Sequence, residues 1–436
     1  MTGDLEQIRE RRIVRALVAY SKTDFYIRKG KPSGAIADLL HEYEKVLNEG
    51  TGKSDIEIKI VFIPVRFDQL IPSLLDSKGD LIASTMTITP EREALVDFVS
   101  GRRLIIDEVV VTNRSAAPVD SVQDLSGRCV YVLRAGSFFQ HLELLNKELA
   151  DLGKEPADIV ESDKNLSSED ILELVYAGVV EMTVMDDFKA DLWAQVLPNI
   201  VVRKDLELNT DGNVGWAVRK SNPELKAHLG NFFETIKKGS MLGNILFKRH
   251  YPSIKWIKHP VADEERKIFE QMGSIFKKYS DEYGFDYLAI TAQAFQESAL
   301  DHSVRSAAGA VGVMQVLPST AADPNVYISD IEELENNIHA GVKYMAFLRD
   351  RYFKEPELTE DARRAFLWAS YNAGPAKVRK LRTRASEIGL NPNKWFFNVE
   401  HAAQDIIGHE AVRYVSNIYK YYIAYQLLSG LSNSKQ

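Results

Sequence analysis

Glu297 closes the run Phe295-Gln296-Glu297-Ser298-Ala299-Leu300, and a glycine-bracketed turn follows it, Gly309-Ala310-Val311-Gly312-Val313-Met314-Gln315. Further on stands Ser370-Tyr371-Asn372-Ala373-Gly374. One carboxyl near the end of an apolar helix, followed by two polar loops able to hold a sugar, suits the cleavage of a glycan. Its helical neighbours Ile290, Ala292 and Phe295 are apolar or small. Burial among them disfavours the ionised carboxylate and raises its pKa, as a general acid at neutral pH requires. The adjacent Ser298 hydroxyl is placed to bind a substrate amide or to orient the acid. Gly309 and Gly312 permit positive φ and close backbone approach, so a ligand can lie against main-chain groups. Taken singly, each feature has a plainer reading: a surface glutamate on an amphipathic helix, a glycine turn joining two helices, and Asn372 with Gly374 as a C-cap that Pro375 keeps from continuing.

These residues sit in a half of the chain that reads as all-α. Beyond Asp263, the segments 264–283, 288–298, 336–352, 363–371 and 410–428 carry helical spacing, and no strand alternation interrupts them. Pro318 reads as the first-turn proline of a further helix. The first half alternates instead. Strands are expected at 13–18, 56–64 (with Ile56, Ile58 and Ile60 at steps of two), 79–83, 128–133 and 182–185. Helices are expected at Ala35–Leu47, with Ile36, Leu39, Leu40, Tyr43 and Leu47 on one face, and at 67–77 and 168–177. This is the rhythm of a sheet clad by helices, in two lobes with a cleft between them. The stretch 251–260 carries two prolines and no period, and reads as a linker. The domains are expected at 1–251 and 263–436, joined by 252–262.

Composition narrows the classes. At 436 residues the chain exceeds one ordinary core. A net charge of -8 argues against a nucleic-acid footprint, which needs a basic excess. The single cysteine, Cys129, cannot close an intrachain disulfide, and its strand-like surroundings predict an inert core thiol. No apolar run reaches the roughly 18 residues of a membrane helix, and the start lacks a secretory signal's apolar core. That leaves a cytoplasmic protein or a mature form without its leader. His259, His302, His339, His401 and His409 show no metal-ligand spacing, so surface or linker roles and no metal or cofactor are expected.

The ordered set Glu297-Ser298, Gly309-x-x-Gly312-x-Met314-Gln315, Tyr371-Asn372-Ala373-Gly374 and Glu410-Ala411-Val412-Arg413-Tyr414-Val415 resembles the catalytic domain of the lytic transglycosylases, the goose-lysozyme-like enzymes that cleave peptidoglycan. Two positions depart from that pattern, Ala411 where threonine is frequent and Ser370 where alanine is usual. The resemblance implies that Glu297 is the sole catalytic acid/base, and that Ser298, Met314, Gln315, Tyr371, Asn372 and Tyr414 line a saccharide groove. It also implies a route without a second carboxyl, in which the substrate's own C6 hydroxyl closes onto C1. A hydrolase of the goose-lysozyme kind remains the alternative. It needs a second acid, for which Asp301 and Asp323 are nearest in sequence.

In the first half, Gly79-Asp80-Leu81-Ile82-Ala83-Ser84-Thr85-Met86-Thr87-Ile88-Thr89-Pro90-Glu91-Arg92 resembles a ligand-binding stretch of the family 3 solute-binding proteins, the periplasmic amino-acid receptors. The resemblance implies that Thr87 and Arg92 bind a ligand carboxylate, Arg92 through two parallel hydrogen bonds. Asp186 then matches the ammonium-binding aspartate, and Gly136-Ser137 a backbone contact. Thr85 stands at the usual glycine position. Lobe crossings are expected near 104–107 and 214–217, as hinges that close around ligand. Arg92 as a merely solvated helix-start arginine is the plain alternative.

Both halves in this order resemble the membrane-bound lytic murein transglycosylases of the F type. The expectation is an α/β two-lobed periplasmic-binding-protein-like domain followed by an all-α lysozyme-like domain. The resemblance implies peptidoglycan strands as substrate, an amino acid or stem peptide as ligand, no nucleic acid, and a periplasmic place peripheral to the outer membrane. A non-catalytic receptor that docks on the wall is the alternative from another class.

Overall fold

Short runs rich in Ile, Val and Leu between turn residues become strands in the first half. The computed structural model describes residues 3–28, 31–50, 56–100, 105–235, 263–406 and 409–433. It divides into two units, Met1–Trp256 and Ile257–Gln436. The expected linker at 252–262 lies outside the described residues.

The strands of the first unit are β1 (Ile13–Ala19), β2 (Tyr26–Arg28), β3 (Lys31–Ser33), β4 (Lys59–Val65), β5 (Leu81–Thr87), β6 (Asp97–Val99), β7 (Ile105–Asn113), β8 (Cys129–Val132), β9 (Asp158–Glu161), β10 (Met182–Asp186) and β11 (Ile200–Val218). Seven of them form one sheet in the order β10-β7-β11-β5-β1-β4, with β6 also on β11. β1 runs parallel to β4 and β5, whereas β11 is antiparallel to β5, β6 and β7. The nineteen-residue β11 pairs with β7 up to Asn213 and with β5 from Val214 onward. One strand therefore belongs to two lobes. The other passage, between β6 and β7, includes 101–104, outside the described residues.

Each lobe has its own core. Ile36, Leu40, Tyr43 and Leu47 of the Ala35–Leu47 helix pack with Val14, Ala16, Val18, Leu81 and Trp216. Val110, Val130, Val132, Leu142, Leu145, Met182 and Val184 form the second cluster. Asp80, fully buried, is anchored by Arg15 at 2.7 Å and Arg11 at 2.5 Å. Burial alone would raise that carboxyl, but the hydrogen bonds and charges of Arg15 and Arg11 hold it below the usual range.

Three expectations shift. The strand expected over 56–64 begins at Lys59, and Ile56 is exposed while Ile58 and Ile60 are buried. The helix expected over 67–77 is one 3-10 turn, Phe67–Gln69, followed by Leu70–Leu75. Cys129 is exposed at the edge position of β8, with Sγ 3.2 Å from Asp158 Oδ2. Partial burial and the Asp158 carboxylate raise its thiol and disfavour the thiolate, at an exposed position in place of the core position expected.

The second unit consists of helices, with isolated bridges as the β contacts among the described residues. Its centre is the helix Tyr287–Ser298. Leu288, Ala289, Ile290, Ala292, Ala294 and Phe295 are all buried there, because other helices cover it on more than one side. Phe295 meets Tyr421 of the His409–Asn433 helix edge-on at 4.8 Å. The helices expected around 336–352 and 363–371 run Leu334–Tyr352 and Glu360–Ala373. Pro375 does more than stop a helix: it opens another, Pro375–Glu387, which buries Val378, Leu381 and Ala385.

Candidate active site and ligand cleft

Glu297 lies in the last turn of a helix that ends abruptly. Ala299 and Leu300 both take left-handed backbone, at φ 57° and 62°. Two such residues in succession are strained, and the buried Leu300 holds them in place. The turn leaves Glu297 half-buried at the helix end, where Tyr414 donates its hydroxyl to Oε1 at 2.5 Å. Tyr371 adjoins the same carboxyl. Its hydroxyl donates to the main-chain oxygen of Met314 at 2.8 Å, and its ring packs 5.5 Å from Tyr344. Burial first, and then the Glu297 charge, push both hydroxyls well above the usual tyrosine range. Both therefore remain neutral donors around neutral pH.

The glycine turn is a small braced loop. Val311 bridges to Arg305 and Val316. Gln315, at φ 48°, donates from Nε2 to Val304 and Gly312 carbonyls at 3.1 and 2.8 Å. Gly312 needs its lack of a side chain twice over. Its φ is 73°, and a Cβ would fall 2.6 Å from the His302 ring and 2.7 Å from Asn337 Nδ2. Those two residues are the braces. Asn337 is fully buried, accepts from Met314 N at 2.9 Å, and donates to Val311 and Ile331 carbonyls at 2.9 and 3.0 Å. His302 accepts from Val313 N at Nδ1, so Nε2 carries the proton given to the Glu332 carbonyl at 2.7 Å. His302 is thus a strut and not the surface histidine expected.

Of the residues expected to line a groove, Tyr371 and Tyr414 are brought to the expected acid Glu297, and Asn372 is exposed at the same helix end as Tyr371. Ser298 and Met314 face inward. The Ser298 hydroxyl is buried and donates to the Val313 carbonyl at 2.9 Å, tying helix to loop. The Met314 side chain is fully buried against Gly341, where a Cβ would come within 2.8 Å of it. Both support the loop instead of presenting side chains to a sugar. Asn337 was not expected here, nor His302 as a brace, because they act on the loop from 23 and 11 residues away in sequence. A polar residue beside Ile338 on the buried side of an amphipathic helix was the available sign.

In the first unit, Thr87, Arg92, Ser137 and Asp186 converge between the lobes. Arg92 donates to the Thr87 carbonyl at 2.5 Å and to the Ala135 carbonyl at 2.8 Å. Ser137 Oγ lies 3.0 Å from Thr87 Oγ1, and 2.6 Å from Glu108 Oε1, to which it donates. Ser137 is also the first residue of a helix running to Asp151, whose N-terminus favours an anion. Asp186 is buried with one carboxyl oxygen, Oδ1, lacking a partner, and burial pushes its pKa up to about 7. Glu108, His141, Asp24 and Lys189 complete the cleft, and none was singled out from sequence. No helix among the described residues is long and apolar enough to cross a membrane.

Residues 14–248 match the bacterial extracellular solute-binding proteins, family 3, and residues 274–391 match the transglycosylase SLT domain. An ancestral arginine-binding protein bound to arginine aligns with 55% of this chain and 98% of its own, at 23% identity and a TM-score of 0.43. A membrane-bound lytic murein transglycosylase F of Vibrio cholerae is 26% identical over 451 residues, covering 96% of this chain and 80% of that protein. The protein of the same name from Desulfosudis oleivorans is 30% identical over 437 residues, covering 96% of this chain and 91% of that one. With both modules matched in order and nearly the whole of that relative spanned, the chain belongs to the membrane-bound lytic murein transglycosylase F family.

Proposed function

We propose that Glu297 is the sole acid/base of a peptidoglycan lytic transglycosylase, and that Thr87, Arg92, Ser137 and Asp186 of the solute-binding module hold an amino acid or a stem peptide. The chain is a lytic transglycosylase with a family 3 solute-binding module at its N-terminal side. We take the modules as 1–251 and 263–436, and place the enzyme in the periplasm, peripheral to the outer membrane.

Family membership implies the chemistry. Glu297 protonates the oxygen between N-acetylmuramic acid and N-acetylglucosamine, and that bond breaks as the 2-acetamido group stabilises the cation at C1. Glu297, now a carboxylate, takes the proton of the C6 hydroxyl as that oxygen bonds to C1, leaving a 1,6-anhydromuramic end with no water consumed. The carboxyl must change protonation state twice in each turnover. A neutral hydroxyl from Tyr414 can steady it in both states, because the tyrosine oxygen donates to the carboxylate and accepts from the acid. That contact, at 2.5 Å, is the observation that carries the reading. Tyr371, Asn372, Gln315 and the main chain of the 309–315 loop are the proposed sugar contacts, with Ser298 and Met314 positioning that loop.

The hydrolytic alternative has less support. Asp301 accepts from Ser303 N and Oγ at 2.8 and 2.7 Å, and Asp323 from Asn325 N and Nδ2 at 2.8 Å. Their own turns hold both carboxyls below the usual range, so each is committed to local structure instead of to positioning water. Peptidoglycan stem peptides carry carboxylates and amines, and their binding in the first module would regulate or tether cleavage by the second. Glu297→Gln tests the enzymatic reading, since it keeps shape and removes the acid. Release of soluble fragments from sacculi should fall by about 10³-fold with the melting temperature unchanged. Release at the wild-type rate would leave a wall-docking receptor.

A further inference from the structure

The mouth of the ligand cleft contains a charge that the chain supplies to itself. Lys189 lies in the first turn of the Asp187–Ala194 helix, three residues after Asp186. Its Nζ donates to Asp24 Oδ2 at 2.7 Å and to Thr85 Oγ1 at 2.9 Å. Thr85 passes its own proton to the same Asp24 oxygen at 2.9 Å. Ammonium, hydroxyl and carboxylate thus close a ring in which the ammonium donates to both partners and the hydroxyl accepts from one and donates to the other. The Lys189 and Asp24 side chains are 12% and 11% exposed. Burial alone would strip the lysine of its proton, but Asp24, Glu169 and Asp186 outweigh it and hold the ammonium above the usual range.

The ring crosses the cleft. Lys189 follows β10 in one lobe, whereas Asp24 follows β1 and Thr85 is on β5 in the other. Other contacts cross beside it: Trp193 Nε1 to Thr23 Oγ1 at 3.0 Å, Lys22 to Asp170 and Glu173 at 2.6 Å each, and Ser21 to Glu169. Thr85 and Thr87 point from one face of β5, about 7 Å apart at strand spacing. The cleft therefore has two ends. At the Thr87 end stand Arg92, Ser137 and the helix N-terminus, which suit a carboxylate, with the buried, unpartnered Asp186 Oδ1 nearby. At the Thr85 end stands a carboxylate already satisfied by Lys189.

We infer that Lys189 is an internal ligand of the solute-binding module, occupying with its ammonium the cation-recognising end formed by Asp24 and Thr85. The module accordingly accepts α-amino acid head groups with short side chains and turns away long cationic ones. A basic ligand has to displace a buried ammonium from its carboxylate or place a second cation beside it, and both are unfavourable. The inference rests on the proposed head-group site at Thr87, Arg92 and Asp186.

Calorimetry and thermal melts on the full chain test it, using glycine, L-arginine and propylammonium as probes. The wild type should bind glycine and show L-arginine binding weaker by about 100-fold. In Lys189→Ala, L-arginine binding should strengthen by about the same factor. Propylammonium, which carries the lysine stem and charge but no carboxylate, should raise the melting temperature of Lys189→Ala and not that of the wild type. Wild-type L-arginine binding as tight as glycine would overturn the inference. So would Lys189→Ala that ignores propylammonium. Should Lys189→Ala fold only with propylammonium present, that dependence supports the inference, and failure to fold even then contradicts it. Rescue by propylammonium without any amino-acid binding would uphold Lys189 and remove the head-group reading instead.

Discussion

Two carboxyls in this protein, the half-buried Glu297 and the buried Asp24, are held in opposite ways. Glu297 takes a hydrogen bond from the neutral Tyr414 hydroxyl at 2.5 Å, and Asp24 takes one from the Lys189 ammonium at 2.7 Å. A cation fixes a carboxylate in its charged form, which suits a cleft whose charges must stay put. A hydroxyl leaves the proton free to come and go, which suits a group that has to act as acid and then as base. The choice of partner separates the carboxyl proposed to react from the one proposed to be held by Lys189.

The largest effect on stability should come from the cleft. Asp24→Ala strands the Lys189 ammonium, and the first unit should lose about 3 kcal/mol by chemical denaturation, while sacculus cleavage assayed below the transition persists. If no destabilisation follows, the ring around Lys189 is not a structural pair. Tyr414→Phe should do the reverse. Turnover is expected to drop by about 10- to 100-fold with stability nearly unchanged, because one hydrogen bond to the reacting carboxyl is lost and the ring remains packed. Unchanged turnover would remove Tyr414 from the site.

A third effect concerns pH. Burial raises Asp186, and Glu400 at the start of the Glu400–Ile406 helix, to about 7, above their unfolded values of about 4. Between those values the native state binds more protons than the unfolded chain, so these groups contribute a loss of stability as pH rises from about 4 to about 7, and no further change above it. Glu400→Gln should flatten the melting-temperature profile of the second unit across that window. A profile of unaltered slope would show Glu400 to be charged at its ordinary pKa.

Much of this was legible in the residues. The apolar run 288–295 with a terminal Glu297 is the pattern of a covered helix, and Tyr414 and Tyr371 come from motifs far along the chain that the fold does bring together. Local pattern could not say which way a side chain turns, so Ser298, read as a sugar contact, gives its hydroxyl to the loop, and Met314, read likewise, packs against Gly341. The helix Pro375–Glu387 was missed because its Lys and Arg residues leave only Val378, Leu381 and Ala385 to mark a buried face. Lys189 was invisible for a related reason. Its partners Asp24 and Thr85 lie 165 and 104 residues away, and nothing in a short-range pattern signals a pair across a cleft. The nineteen residues of β11 were likewise not expected as a strand, and only 214–217 stood out, as a lobe crossing, because the stretch before it changes partners is polar.

The central claim is that a lone carboxyl, steadied by a neutral donor, cuts glycan without water. Mass spectrometry of sacculi digested in water enriched in the heavy oxygen isotope addresses it most directly. The account predicts muramic ends in the anhydro form, lighter by one water than a hydrolytic end and free of the label. Reducing ends that carry the heavy oxygen would contradict it and make the protein a hydrolase.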